Sequence, residues 1–156
     1  MKSLVFREGE LTDLEALKAL FFDTISTVNS KDYSKEQIEV WRSSVENKDR
    51  WLELIDNQYV LVAETDDLIV GFITLKDSNY IDFLYVHEKH QGQKIAQQLY
   101  QKIEQKAKDN NSKSLKSDVS ITARPFFKKM GFTVIKEQKI DREGIQLINY
   151  KMQKNL

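Results

Sequence analysis

Tyr85-Val86-His87-Glu88-Lys89-His90-Gln91-Gly92-Gln93-Lys94-Ile95-Ala96 is the stretch on which the fold turns. The run before it, Tyr80 to Val86, is short and apolar enough for a buried strand. A polar loop with one glycine follows. From Gly92 to Lys108 the residues Ile95, Leu99, Ile103 and Ala107 recur at i, i+4, the stripe of an amphipathic helix. The first turn of a helix leaves backbone N–H groups unpaired and carries roughly half a positive charge. Such an end suits a diphosphate. Gly92 lets the backbone approach a ligand closely, and Lys89 and Lys94 add positive charge. An ordinary strand and helix joined by a turn glycine would carry the same residues, so this segment alone leaves both readings open.

Working outward, Leu4-Val5-Phe6 reads as a first strand. Thr12 or Asp13 caps a helix reaching about Val28, with Leu14, Leu17, Phe21 and Ile25 at helical spacing. Asn29 to Asp32 is a polar break. Ser34 and Gln37 then form a capping-box pattern ahead of Ile38, Trp41 and Val45. Arg50 to Ile55 is a short helical segment. Tyr59–Glu64 and Leu68–Leu75 flank Thr65-Asp66-Asp67 and read as a hairpin. Ser114–Val119 is a strand, and Ala123–Met130 is a short helix closed by Gly131, with Ser120 as its cap. Phe132–Gln138 and Leu147–Met152 are two last strands joined through Asp141 to Gly144. This order predicts an α/β (mixed α+β) sheet of about seven strands with helices on both faces.

The 156 residues fit one domain, 1–156. Lys+Arg and Asp+Glu each number 24, so the basic excess of a nucleic-acid surface is missing. With no cysteine there is no thiolate metal site, disulfide or cysteine nucleophile, and two histidines are too few for a rich metal cluster. No long apolar run marks a leader or a membrane span, so a cytoplasmic location is expected, with no metal, nucleic-acid or membrane partner.

The loop resembles the coenzyme-A loop of the GNAT N-acetyltransferase superfamily: Arg or Gln, two residues, Gly, one residue, then Gly or Ala. Gln91 and Ala96 match its ends, while Lys94 stands where the family usually has Gly. A left-handed backbone at Lys94 would cost about 1–2 kcal/mol. Val70-Gly71-Phe72-Ile73 and Ile81 to Val86 are similar to the family's third and fourth strands. Ser120-Ile121-Thr122-Ala123-Arg124-Pro125-Phe126-Phe127 through Gly131-Phe132 is similar to its later motif. With Asp32-Tyr33-Ser34, the chain resembles a group of uncharacterised bacterial GNAT proteins.

The resemblance implies a single-domain acyl-CoA N-acyltransferase fold whose fourth and fifth strands splay apart. It implies acetyl-CoA as co-substrate, with Leu84, Tyr85 and Val86 along the pantetheine arm and Gln91, Gly92, Gln93, Lys94, Ile95 and Ala96 at the diphosphate. It implies direct acetyl transfer to a small-molecule or peptide amine by a monomer or homodimer. Phe127, beside the cofactor, stands where many members have a tyrosine acid; Tyr150 or Tyr85 are the substitutes. Strand parity puts Tyr80, Asp82 and Leu84 on one face, making Asp82 the expected base or else a solvated strand residue; Asp118 is second choice. Asn29, Asp32, Tyr33, Tyr80 and Asp82 are the expected acceptor contacts, with Trp41 as a core or pocket residue. The competing reading, carried by Phe127, is a coenzyme-A sensor with little catalysis.

Overall fold

The computed structural model describes residues 3–156. Seven strands, β1 Leu4–Glu8, β2 Tyr59–Thr65, β3 Leu68–Lys76, β4 Tyr80–Val86, β5 Ser114–Ser120, β6 Thr133–Arg142 and β7 Ile145–Asn155, form one sheet in the order β1-β2-β3-β4-β5-β7-β6. Every neighbouring pair is antiparallel except β4 and β5, which are parallel. The helices α1 Leu14–Thr27, α2 Lys35–Arg42 and α3 Lys48–Asn57 supply Leu17, Ile25, Ile38, Trp51 and Leu54 to the core on one face. On the other face α4 Ile95–Asp109 and α5 Arg124–Lys129 bury Leu99, Ile103 and Phe127.

Local chemistry sets the boundaries. Ser34 Oγ accepts from the Gln37 amide at 3.1 Å while the Gln37 side chain accepts from the Ser34 amide at 2.8 Å, the reciprocal cap the spacing predicts. Asp66 and Asp67 turn the β2–β3 hairpin with φ of 51° and 61°, and Glu143 and Gly144 turn the β6–β7 hairpin with φ of 52° and 82°. These are the positive φ pairs that match strand twist in two-residue loops. The last two strands therefore extend further toward each other than the sequence predicts. Polar residues from Lys139 to Arg142 continue the ladder because the tight turn holds them in register.

One irregularity corrects the sequence reading. Ile73 pairs with Leu84 and Leu75 pairs with Ile81, so β4 carries an extra residue at Asp82 and Phe83. The Phe83 amide finds the Thr74 hydroxyl at 3.1 Å in place of a ladder carbonyl. Alternation breaks there. Ile81, Leu84 and Val86 pack with the α4 core, while Phe83 and Tyr85 pack with the α1 and α3 core. Leu84 thus lies on the opposite face from that expected, and Asp82 and Phe83 both turn toward α3.

Candidate active site

The parallel ladder between β4 and β5 consists of Tyr80↔Lys116 and Ile81↔Ser117, after which the strands diverge. The direction of the free backbone groups follows from β3. The His87 amide donates to the Val70 carbonyl at 2.8 Å, so by antiparallel alternation the amides of Leu84 and Val86 point away from β3 and into the gap. The gap is a cavity of about 200 Å³ walled by Leu84 to Val86, by Ser117 to Ser120, by Gln91 and Ala96, and by Phe126 and Phe127. Gln91 Nε2 donates to the Val86 carbonyl at 2.6 Å, tying the loop to the slot.

At the start of α4, Gly92 has φ 77° and Lys94 has φ 61° and ψ 20°. Both residues are left-handed, so the helix begins at Ile95, three residues later than the sequence pattern predicts. The first intrahelical bond runs from the Gln98 amide to the Lys94 carbonyl at 3.1 Å, so the amides of Ile95, Ala96 and Gln97 precede the helical ladder. Gln93 and Lys94 are exposed beside them. Lys94 bears the strain that glycine would avoid. Lys94→Gly is expected to raise stability by roughly 0.5 kcal/mol, less than the strain because glycine loosens the unfolded chain. Lys94→Val, β-branched at positive φ, should lower it by about 1 kcal/mol or more. Thermal unfolding checks the order Gly above Lys above Val; a valine variant as stable as the glycine one would contradict this backbone.

The far wall of the slot comes from α1, the connection after it and α2: Thr24, Asn29 and Trp41. Thr24 Oγ1 is buried and has no hydrogen-bond partner among the described residues, and Asn29 is buried as well. An orphaned buried hydroxyl costs about 1–3 kcal/mol, and this one borders the slot. The exposed amides of β4, the open start of α4 and this hydroxyl together fit a long ligand with a diphosphate at one end and amide groups along its arm.

A second cavity of about 280 Å³ adjoins the slot. Asp82, Tyr85, Asp118, Ser120 and Trp41 line both. Asp82 is engaged here. Arg50 Nη1 and Nη2 donate to its two oxygens at 2.7 Å each, and Gln58 Nε2 donates at 2.7 Å. Its side chain is 10% exposed. The Arg50 guanidinium also lies 4.7 Å from the Phe83 ring centroid, and its bond to Asp82 makes the guanidinium hold its proton more firmly than usual. That geometry does not present Asp82 as a free base. Asp118 differs: it is exposed, and its oxygens accept from the Tyr80 hydroxyl at 2.7 Å and Gln138 Nε2 at 2.9 Å, both neutral donors. Burial first, and then the bond to Asp118, push the Tyr80 phenol well above the ordinary tyrosine range, so it keeps its proton and donates.

The other expected residues separate. Tyr85 sits between the cavities, and burial raises its phenol far above the usual range. Tyr150 lines neither cavity; its ring lies 4.5 Å beneath the Arg124 guanidinium. Tyr33 lines the second cavity, yet its hydroxyl donates to the Ile148 carbonyl at 2.7 Å and accepts from the Ile121 amide at 2.9 Å. Burial pushes that phenol up to about 12. It is a strut between the α1–α2 connection and β7. Asp32 is exposed, accepts from the Thr122 hydroxyl at 2.8 Å, and lines neither cavity. Asn29 faces the slot and not the second cavity. Phe127 is buried in the slot wall, its ring 5.1 Å from Phe132. Sequence reading missed Thr24, Arg50 and Gln58, whose places beside the slot and on Asp82 are set by elements distant in the chain.

The family model for the acetyltransferase (GNAT) domain matches residues 29–154. The chain belongs to the GNAT acetyltransferase family. It is 30% identical over 152 residues to the uncharacterized N-acetyltransferase YafP of Escherichia coli (strain K12), covering 97% of this chain and 96% of that one. Among solved structures, one described as a GCN5-related N-acetyltransferase, aminotransferase class-II, from Rhodopseudomonas palustris is 29% identical with a TM-score of 0.94, covering 100% of this chain and 98% of that one. The PaiA N-acetyltransferase of Thermoplasma acidophilum, solved in complex with coenzyme A, has the same fold at 22% identity, with a TM-score of 0.78 and 99% of each chain covered. The GNAT chain is thus an acyltransferase enzyme on a mixed seven-stranded sheet. Among the described residues no helix is long and apolar enough to cross a membrane.

Proposed function

We propose that this single domain transfers an acetyl group from acetyl-CoA to a primary amine by direct attack in a ternary complex. The observation that carries the reading is the two-residue β4–β5 ladder beside in-pointing amides at Leu84 and Val86. When bound, acetyl-CoA supplies the acyl group as an activated thioester. The Leu84 and Val86 amides hold the arm as an added strand would be held. An amide donor at the acyl carbonyl stabilises negative charge on that oxygen, an effect worth about 3–4 kcal/mol for a well-placed donor. The amides from Gln91 to Ala96 hold the diphosphate, and Thr24 Oγ1 gains the partner it lacks.

The acceptor occupies the second cavity. Asp118, oriented by Tyr80 and Gln138, binds the ammonium and takes one proton; the neutral nitrogen then forms the new C–N bond, the C–S bond breaks, and the second proton shed by that nitrogen passes to the departing thiolate, which leaves as coenzyme A. Tyr85, still protonated and bordering both cavities, donates a hydrogen bond at the departing sulfur. Phe127 packs and does no proton chemistry. No protein nucleophile takes part.

Saturating acetyl-CoA should raise the melting temperature. At 100 times Kd the gain is about 2.7 kcal/mol, or roughly 5–10 °C for a chain of this size. Thr24→Val separates the terms: the free protein should melt slightly higher, freed of an orphan hydroxyl, while the cofactor-induced shift shrinks. No shift at saturation would remove the reading. A shift without thiol release over a broad amine panel would leave a binding protein and not an enzyme.

A further inference from the structure

The charges around the acceptor cavity do not cancel, and their placement carries information. Arg50 and Asp82 neutralise each other at its back. That leaves two charged lining residues, Asp118, its oxygens served by neutral donors, and Arg142 at the far end of β6 from Gln138. Arg142 is exposed at the end of β6, and its side chain makes no hydrogen bond or ion pair among the described residues. Lys151 lies opposite Asp118 on β7, but the two form no ion pair among the described residues, and Lys151 does not line the cavity. Gln138, Ile140 and Arg142 share one face of β6 by strand parity, and the latter two wall the cavity.

We propose that the acceptor is an amine that also carries a carboxylate, its ammonium delivered to Asp118 and its carboxylate held by Arg142 at the cavity mouth. The inference rests on the acetyltransferase reading above. Guanidinium and carboxylate meet in a two-pronged, charge-assisted contact. Length narrows the class. Gln138, which touches Asp118, lies four residues from Arg142, about 13 Å along the strand. An α-amino acid, whose two charges share one carbon, bridges them only if the Arg142 side chain folds back along β6. An ω-amino acid, a basic amino acid reacting through its side-chain amine, or a short peptide has several bonds between amine and acid and spans the distance. The cavity volume of about 280 Å³ sits just below the range of roughly 300–1,000 Å³ for drug-sized ligands, which suits a small metabolite. Its floor of Phe21, Trp51, Phe83 and Tyr85 covers the aliphatic middle of such a molecule.

The test uses a matched set: 6-aminohexanoate, 6-aminohexanamide and 1,5-diaminopentane, assayed by coenzyme-A release and, with coenzyme A present, by calorimetric binding. The expected result is kcat/KM at least tenfold higher for the acid than for the amide, carried by KM. Arg142→Gln should collapse that ratio toward one, and Arg142→Glu should invert it in favour of the diamine. Equal or better use of the amide or diamine by the wild-type chain overturns the proposal, as does a ratio unchanged in both variants. If calorimetry finds none of the three bound while the acetyl-CoA melting shift persists, the acceptor class is wrong and the cofactor reading stands. If the melting shift is itself absent, the underlying reading fails first.

Discussion

Asp118→Asn should lower kcat by about 10²–10³-fold, the lower half of the range for removing a general base, with the melting temperature close to wild type. The asparagine oxygen still accepts one of the two hydrogen bonds from Tyr80 and Gln138, so the local frame survives while the charge that attracts and deprotonates the ammonium is gone. Affinity for acetyl-CoA should persist, because the slot amides are untouched. Tyr80→Phe removes only the orienting bond, at 2.7 Å, and should cost about 5–10-fold, near the 1–1.5 kcal/mol of a single hydrogen bond. Steady-state kinetics with a fixed acceptor, beside cofactor melting curves, give both numbers. A kcat for Asp118→Asn within threefold of wild type across the pH profile would end the assignment, and the proton would then need another destination.

Much of the fold is readable without coordinates because its signals are local. The helical stripe from Ile95 to Ala107, the capping box at Ser34 and Gln37, and the turn pairs Asp66-Asp67 and Glu143-Gly144 each act over a few residues. The backbone strain at Lys94 is likewise legible, as a lysine in a position the family fills with glycine, and the observed φ of 61° agrees. The candidate site reads less well. Parity put Asp82 and Leu84 together, but parity assumes an unbroken strand. One extra residue, held by a Thr74 hydroxyl nine positions away, turns Leu84 over and sends Asp82 toward α3. Whether a carboxylate is a base or half of an ion pair depends on what lies opposite in space. Arg50 is 32 residues from Asp82, and Gln58 is 24. No periodicity joins them. Asp118 reads from the sequence as an exposed residue alternating with Leu115, Ser117 and Val119, and as the second-choice base; the bond that orients it comes from Tyr80, across the parallel pair.

The same ion pair carries the largest expected effect on stability. Arg50→Met keeps an unbranched stem near Phe83 but leaves Asp82, 10% exposed, with Gln58 as its one remaining close donor. Breaking a buried pair from one side costs about 3–5 kcal/mol. Arg50 is itself 39% exposed, and solvent reaching the gap lowers that to about 2–3 kcal/mol. At 2–4 °C per kcal/mol for a chain of this length, the melting temperature should fall by roughly 5–10 °C. Asp82→Asn should cost less, since an amide oxygen still accepts from the guanidinium and no bare charge remains. Pairing Arg50→Met with Asp82→Leu should recover part of the loss, because two apolar groups leave nothing unsatisfied. The clamp also bears on catalysis. It fixes the extra residue of β4 directly before the Leu84 amide, so loosening it should depress kcat in step with lost order in the slot while the shape of the pH profile stays. A base behaves in the opposite way, changing the profile and sparing the fold. If Arg50→Met melts within a degree of wild type, or if Asp82→Asn erases the pH dependence and leaves stability intact, Asp82 is the proton acceptor after all and Arg50 only its counter-ion.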